Sequence, residues 1–168
     1  RVTPVIDGAV TSYFEWLGAG LYRVDERSGA MHGKKFLVKE LLYGSDAENL
    51  YVRLDFTPGA EEALASLDAR LTLQAGGRAS TAVIRLDQGR AATAVETAFA
   101  AEAASGPPLE CAYGGVLEVR VSLAALGAPD GGKVRFQLSL WQGGLPVDAL
   151  PQQGWLELVT GDNGEWFV

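Results

Sequence analysis

The sequence predicts an all-β fold, a two-sheet antiparallel sandwich of jelly-roll or immunoglobulin-like type with one or two short helices. About nine or ten short apolar segments recur every 8–12 residues or so, separated by turn residues. Several of them alternate apolar and polar side chains, which is the period of a half-buried strand. No strand–long helix–strand interval favours a parallel α/β sheet. At 168 residues, the chain is long enough for a single domain over 1–168 with a core of its own.

The first half of the chain predicts two hairpins separated by a short helix. Residues 34–44 and 50–56 read as paired strands, because apolar residues alternate through "LYVRLDF" and a Ser, Asp and Asn-rich turn precedes it. Residues 58–67 begin with Pro and two acids and continue with Ala and Leu at helical spacing, which favours a short helix. Residues 69–77 and 80–89 form the second strand pair around Gly76-Gly77.

The second half predicts further strands, one of which is ambiguous. Residues 93–103 are rich in alanine, which favours helix, yet their place among strands fits a strand nearly as well. Residues 116–127 alternate as a strand and then form one helical turn ending at Gly127. Residues 133–141 alternate strictly, and 154–159 give one more strand.

An aromatic cluster near the N-terminus, "TSYFEWLGAG" at 11–20, has two interpretations, a sugar-binding site or a buried plug. Ser12 and Glu15 have the capping-box spacing, so a helical turn is expected there. On that turn Tyr13, Trp16 and Leu17 share one face. Three large residues on one face need a surface to bury against, so the plug is the favoured interpretation for Trp16.

Composition excludes several classes of function. The net charge of −7 and the lack of any lysine- or arginine-rich stretch argue against nucleic acid or membrane as partners. No run of eighteen apolar residues is present. A single cysteine, Cys111, excludes an internal disulfide. With His32 as the one histidine, the usual zinc sites are excluded, and nucleophilic catalysis would have a single imidazole base.

Oxygen donors on two turns leave calcium as an alternative to the expectation that no cofactor is bound. The turns are "GSDAEN" and "TGDNGE", with candidate ligands Asp46, Glu48, Asn49, Asp162, Asn163 and Glu165. Neither matches an EF-hand loop, and both compositions are those of ordinary turns. Adjacent acids elsewhere are typical of solvated surface, so no catalytic residue is assigned.

Aromatic residues supply the candidate binding site. Trp141 falls on the polar phase of its alternating strand, so its ring is predicted to point away from the core, where flat rings can stack on the apolar C–H faces of sugars. The alternative is a strand-end tryptophan covered by the loop that follows. Trp155, Tyr22 and the loop residue His32 complete the set of candidate carbohydrate-binding residues.

Three stretches of the chain carry a resemblance to a known family. "PVIDGAVTSYFEWLGAGLY", "GAMHGKKFLVKELLYGSDAENLYVRLDF" and "LPQQGWLELV" together resemble the C-terminal region of bacterial glycoside hydrolase family 57 proteins, which include α-amylase and α-mannosidase-like enzymes. A looser similarity runs to family 9 carbohydrate-binding modules, through "IDG" followed by Trp, "NLYVRLDF" and "LEVRVSLAALG".

The resemblance implies an accessory domain, because the catalytic acids of family 57 lie on an upstream barrel that does not fit in this chain. We therefore expect a piece of a larger protein that is not itself an enzyme and that binds α-glucan or a related polysaccharide weakly. Its partners would be that glycan and the catalytic domain of the parent protein. A cytoplasmic location follows from the many intracellular members of the family. The alternatives are a structural module that packs between domains without a ligand, and an independent hydrolase.

Overall fold

The computed structural model describes residues 4–10, 13–16, 18–24, 36–87, 91–128 and 132–160. It confirms the predicted sandwich, with two antiparallel sheets and two short helices. One sheet has five strands and the other has six. The described residues contain no helix long and apolar enough to cross a bilayer.

The elements of the fold occur in the following chain order. A single 3₁₀ turn, Tyr13–Trp16, comes first. The strands and helices after it are β1 (Gly20–Arg23), β2 (Val38–Ser45), β3 (Asn49–Phe56), α1 (Glu61–Leu64), β4 (Asp68–Ala75), β5 (Arg78–Asp87), β6 (Ala91–Ala98), β7 (Leu109–Tyr113), β8 (Val116–Ser122), α2 (Leu123–Leu126), β9 (Lys133–Gln142), β10 (Leu145–Leu150) and β11 (Leu156–Val159). Sheet A has the strand order β1-β2-β3-β8-β7, and sheet B has the order β10-β9-β4-β5-β6. In sheet B, β11 also pairs with β9, beyond the end of β10.

The alanine-rich segment that the sequence left ambiguous is a strand. Strand β6 pairs antiparallel with β5 from Ala91 to Ala98. That pairing satisfies backbone groups of β5, so tertiary context outweighs the helical preference of alanine. The predicted helical turn after β8 is also confirmed. The hydroxyl of Ser122 accepts a hydrogen bond from the amide of Ala125 at 3.2 Å, and Gly127 ends the turn at φ 67°.

The core lies between the sheets and is built from one phase of each alternating strand. Sheet A contributes fully buried residues from its two central strands, namely Leu50, Val52 and Leu54 of β3 with Leu117, Val119 and Val121 of β8. Sheet B contributes Leu71, Leu73, Phe136, Leu138 and Leu140. The inner faces of the two sheets are therefore buried against each other. The sheets differ in what covers their outer faces.

A buried carboxylate fastens the N-terminal segment onto the outer face of sheet A. Glu118 lies on the polar phase of β8 but has no exposed surface. Its side chain accepts hydrogen bonds from the amides of Asp7 (3.3 Å) and Gly8 (2.9 Å) and from Nε1 of Trp16 (3.2 Å). Burial raises the pKa of Glu118, although the Asp7 and Gly8 amides oppose that rise. The sequence pattern places this residue outward, and it does not reveal that another segment covers it.

Trp16 is a plug, as predicted, but on the outer side of sheet A. Its side chain is 5% exposed and forms a small cluster with Tyr51, supported by Ile6, Ala19 and Leu42. The guanidinium of Arg53 lies 5.6 Å from the centre of the Trp16 ring. The predicted turn at Tyr13–Trp16 is present, whereas Ser12 and Leu17 lie outside the described residues.

Close packing at Gly8 completes the attachment of the N-terminal segment. Gly8 has φ +74°, and a Cβ there would lie 2.7 Å from the amide nitrogen of Gly114. The Gly8 carbonyl also accepts a hydrogen bond from the amide of Val116 at 3.1 Å. The Asp-Gly pair of "IDG" thus has a structural role, because only glycine fits against the turn between β7 and β8.

Substituting Glu118→Gln tests the buried carboxylate through the pH dependence of stability. A carboxyl whose pKa is raised in the folded state favours folding while it is protonated, and this contribution is lost as pH rises from the unfolded-state pKa through the folded-state pKa. We therefore expect wild type to exceed the variant in free energy of unfolding most at about pH 4, and by less at about pH 7. Urea unfolding at both pH values measures the difference. A wild-type advantage that grows with pH would contradict the assigned direction.

Candidate functional site

The outer face of sheet B is the candidate site, because the polar phase of its strands carries both candidate tryptophans. Inner residues of β4 and β9 are buried, while the alternate residues are half-buried or exposed. These alternate residues are Asp68, Arg70, Thr72 and Gln74 on β4, and Lys133, Arg135, Gln137, Ser139 and Trp141 on β9. No other element packs on this face in the described part of the chain.

Trp141 lies on this face, as its strand phase predicted, and its indole is fixed by two contacts. Its Nε1 donates a hydrogen bond to Oγ of Ser139 at 2.8 Å, so the ring extends back along β9. The guanidinium carbon of Arg70 lies 4.0 Å from the ring centre. Arg70 lies directly opposite Ser139 on the neighbouring strand. Because the Trp141 ring extends back toward Ser139, it comes into contact with the Arg70 guanidinium. One side of the indole is therefore stacked, and the residue remains half-buried.

Arg70 has no polar partner among the described residues. Its Nε is buried without an acceptor, and it forms no ion pair. A buried donor left unsatisfied costs about 1–3 kcal/mol. A cation–π contact contributes about 0.5–2 kcal/mol and offsets part of that cost. The Arg70–Trp141 pair therefore adds little net stability to the fold.

Trp155 lies on the same face further along β9. It precedes Leu156, which pairs with the buried Phe136, so the alternation directs Trp155 outward. The guanidinium carbon of Arg135 lies 5.5 Å from the centre of its ring. The side-chain amide of Gln137 donates to the carbonyl of Gly154, which fixes the backbone beside the ring.

The two tryptophans border a polar strip. Trp155 is level with Gln137, four residues from Trp141, which is about 14 Å along the strand. Between them lie the side chains of Ser139 and Gln137 and, on the neighbouring strand, those of Arg70 and Thr72. Flat rings can stack on apolar ring faces, and hydroxyl, amide and guanidinium groups can pair with hydroxyls. The strip therefore has the groups needed to hold a chain of several sugar rings.

Tyr22 does not join this site. It lies on β1, pairs with the buried Leu41 and packs against the main core from sheet A. His32 lies outside the described residues. The structure therefore brings together Trp141 and Trp155 and places Tyr22 elsewhere. Sequence analysis missed Arg70, Gln137 and Ser139, although all three share the outward phase of alternating segments.

The first candidate calcium turn uses its oxygens internally. One carboxylate oxygen of Asp46 accepts from the amides of Glu48 and Asn49, both at 2.8 Å. The other accepts from the hydroxyl of Tyr51 at 2.7 Å. The pKa of Tyr51 is raised to about 12 by burial and by this bond to Asp46. The Asn49 side-chain oxygen is engaged by Arg120 at 2.8 Å.

No metal site is formed elsewhere in the described residues. They contain no group of three or more His, Cys, Asp or Glu side chains that could hold a metal ion. The second candidate turn, with Asp162, Asn163 and Glu165, lies outside them.

Comparison of the chain with protein-family models gives no match, and neither does comparison with curated proteins. The resemblance to family 57 therefore continues to depend on the residue patterns alone.

Two separate arginine substitutions test whether Arg70 stabilises the fold. We expect Arg70→Met to change the free energy of unfolding by no more than about 1 kcal/mol, because methionine keeps a soft contact with Trp141 and removes the unsatisfied donor. Arg53→Met is the matched control. Arg53 donates twice to Asp55, at 2.7 and 2.9 Å, so its loss should cost about 2 kcal/mol or more. Urea unfolding measures the free energy of unfolding of both variants. Equal losses of free energy in the two variants would contradict the prediction that Arg70 stabilises the fold less than Arg53 does.

Proposed function

We propose that this chain is a non-catalytic accessory β-sandwich of a glycan-active hydrolase, and that the outer face of sheet B binds a polysaccharide weakly. An α-glucan is the first candidate, because of the resemblance to family 57. The observation that carries the proposal is the pair of half-exposed tryptophans, Trp141 and Trp155, on one open sheet face with polar side chains between them.

The shape of the face favours an extended chain over a single sugar. A flat sheet has no deep cavity to enclose a small ligand, whereas its length lets separate rings bind separate sugar units. Each unit contributes a small free energy, because the rings stay partly in contact with water and Trp141 already stacks on Arg70. We therefore expect this face to bind a polysaccharide weakly, with an affinity that depends on contacts to several sugar units.

The described acids on this face support a non-catalytic role. Asp68 pairs with Arg85 at 3.5 Å, and Glu157 pairs with Arg135 at 3.3 Å. Glycoside hydrolysis needs two carboxylates held about 5–10 Å apart across a bound sugar, one of them a proton donor. Asp68 and Glu157 each lie beside an arginine on an open sheet face.

A specific observation also favours the alternative, a module that packs against its parent domain. A groove of about 430 Å³ on the outer side of sheet A has an apolar part, formed by Trp16, Leu42, Val10 and Leu21, and a charged part, formed by Arg23, Glu40 and Arg53. Val10 and Leu21 are 57% and 48% exposed. Apolar side chains exposed beside one another are typical of contact surfaces. This groove and the tryptophan face lie on opposite outer faces, so substitutions on each can be compared.

Affinity electrophoresis in gels of glycogen, amylopectin and mannan tests the proposal. We expect the wild-type chain to be retarded in at least one gel, and Trp141→Ala and Trp155→Ala each to weaken binding by about two- to tenfold, because a stacked ring contributes about 0.5–1.5 kcal/mol. Tyr22→Phe is the control, since it removes a hydroxyl remote from the face and keeps the core contacts.

The outcomes separate the alternatives. Unretarded migration of the wild-type chain in all three gels would favour the packing module. Equal retardation of wild type and both tryptophan variants would place the site elsewhere. Release of sugar from any glycoside by the isolated chain would contradict the non-catalytic proposal and the packing alternative together.

A further inference from the structure

Arg70 differs from every other arginine that the structure describes. Five of the others form ion pairs, namely Arg23, Arg53, Arg85, Arg120 and Arg135. Arg78 donates to the carbonyl of Ala100. Arg70 alone in this set has neither an ion pair nor a hydrogen bond, although it is half-buried near the middle of a sheet face. Its charge is thus available to a group that is not part of the described chain.

The outer face of sheet B, on which Arg70 lies, is neutral on a protein that is strongly negative. Among the described residues, Arg70, Arg85, Lys133 and Arg135 occupy outward register positions of this sheet, and so do four acids, Asp68, Asp87, Glu96 and Glu157. The chain as a whole carries −7. Two of the acids are already paired with arginines on this face. An anion approaching Arg70 therefore meets less repulsion than it would on the rest of the surface.

The stacking geometry suits a planar anion. The indole of Trp141, itself fixed by Ser139, holds the guanidinium of Arg70 at 4.0 Å from its ring centre and limits its rotation. A fixed planar guanidinium matches the two oxygens of a carboxylate better than it matches single hydroxyls. Ser139, Gln137 and Thr72 lie nearby and can pair with hydroxyl groups.

We infer that the Arg70–Trp141 pair is a subsite for a carboxylate-bearing sugar, a uronic acid unit within the polysaccharide that the outer face of sheet B binds. This inference depends on the proposed function, and it adds polysaccharides that contain uronic acid units to the neutral glucans as ligands of the same face. The carboxylate pairs with the outer guanidinium nitrogens of Arg70, and the same sugar or its neighbour lies against the indole.

Calorimetry with three oligosaccharides tests the inference. The probes are a linear galacturonic acid oligomer, its fully methyl-esterified form and a neutral maltooligosaccharide. We expect the wild-type chain to bind the acid oligomer at least about fivefold more tightly than the ester, because the ester lacks the charge. Arg70→Gln should abolish this preference. Arg85→Gln, on the neighbouring strand of the same face, should retain it, because Arg85 is already paired with Asp68.

Each result decides between the two proposals. Equal binding of acid and ester by wild type, or equal loss of preference in both arginine variants, would overturn the uronate subsite. If the maltooligosaccharide then binds in a manner sensitive to Trp141→Ala, the glycan-binding proposal survives. If none of the three probes binds, that proposal fails too. Comparable unfolding midpoints for Arg70→Gln and wild type show that the fold is intact.

Discussion

Two stacked sheets have four faces, and the distribution of polar groups decides which of them stays open. The two inner faces close on one another through leucine, valine and Phe136. The centre of the third, the outer face of sheet A, is covered by the N-terminal segment, which Glu118 and Trp16 hold in place. Only the outer face of sheet B remains without a covering element in the described chain. The proposed ligand binds to that open face.

Two charged residues on opposite outer faces differ in whether their polar atoms have hydrogen-bond partners within the fold. Glu118 is fully buried and accepts three hydrogen bonds, so the need of its oxygen atoms for partners is compensated within the fold. Arg70 is partly buried and receives no such compensation. Selection for stability alone would favour an apolar residue at that position. The lack of a partner within the fold is the reason for proposing that Arg70 binds a ligand.

The period-two alternation was sufficient to predict the sandwich and the outward placement of Trp141, because both are local consequences of strand geometry. It could not predict Arg70 as the partner of Trp141, since that contact depends on the pairing of β4 with β9, which are far apart in sequence. The burial of Glu118 was hidden for the same reason: the covering residues come from the other end of the chain. Helix propensity left residues 93–103 ambiguous, and strand pairing determines the conformation of this segment as far as Ala98.

The two tryptophans differ in how firmly they are held, and this difference should shape how the face binds a chain. The Trp141 indole is restrained by a hydrogen bond and by a stacked guanidinium at 4.0 Å, so little conformational entropy remains to be lost when a sugar binds. The Trp155 ring has a more distant guanidinium at 5.5 Å, and its position depends on the backbone that Gln137 holds. Preorganised groups set the register of a ligand, and looser ones adapt to it. In the proposed complex, a glycan would therefore be anchored at Trp141 and Arg70, and its far end would adjust against Trp155.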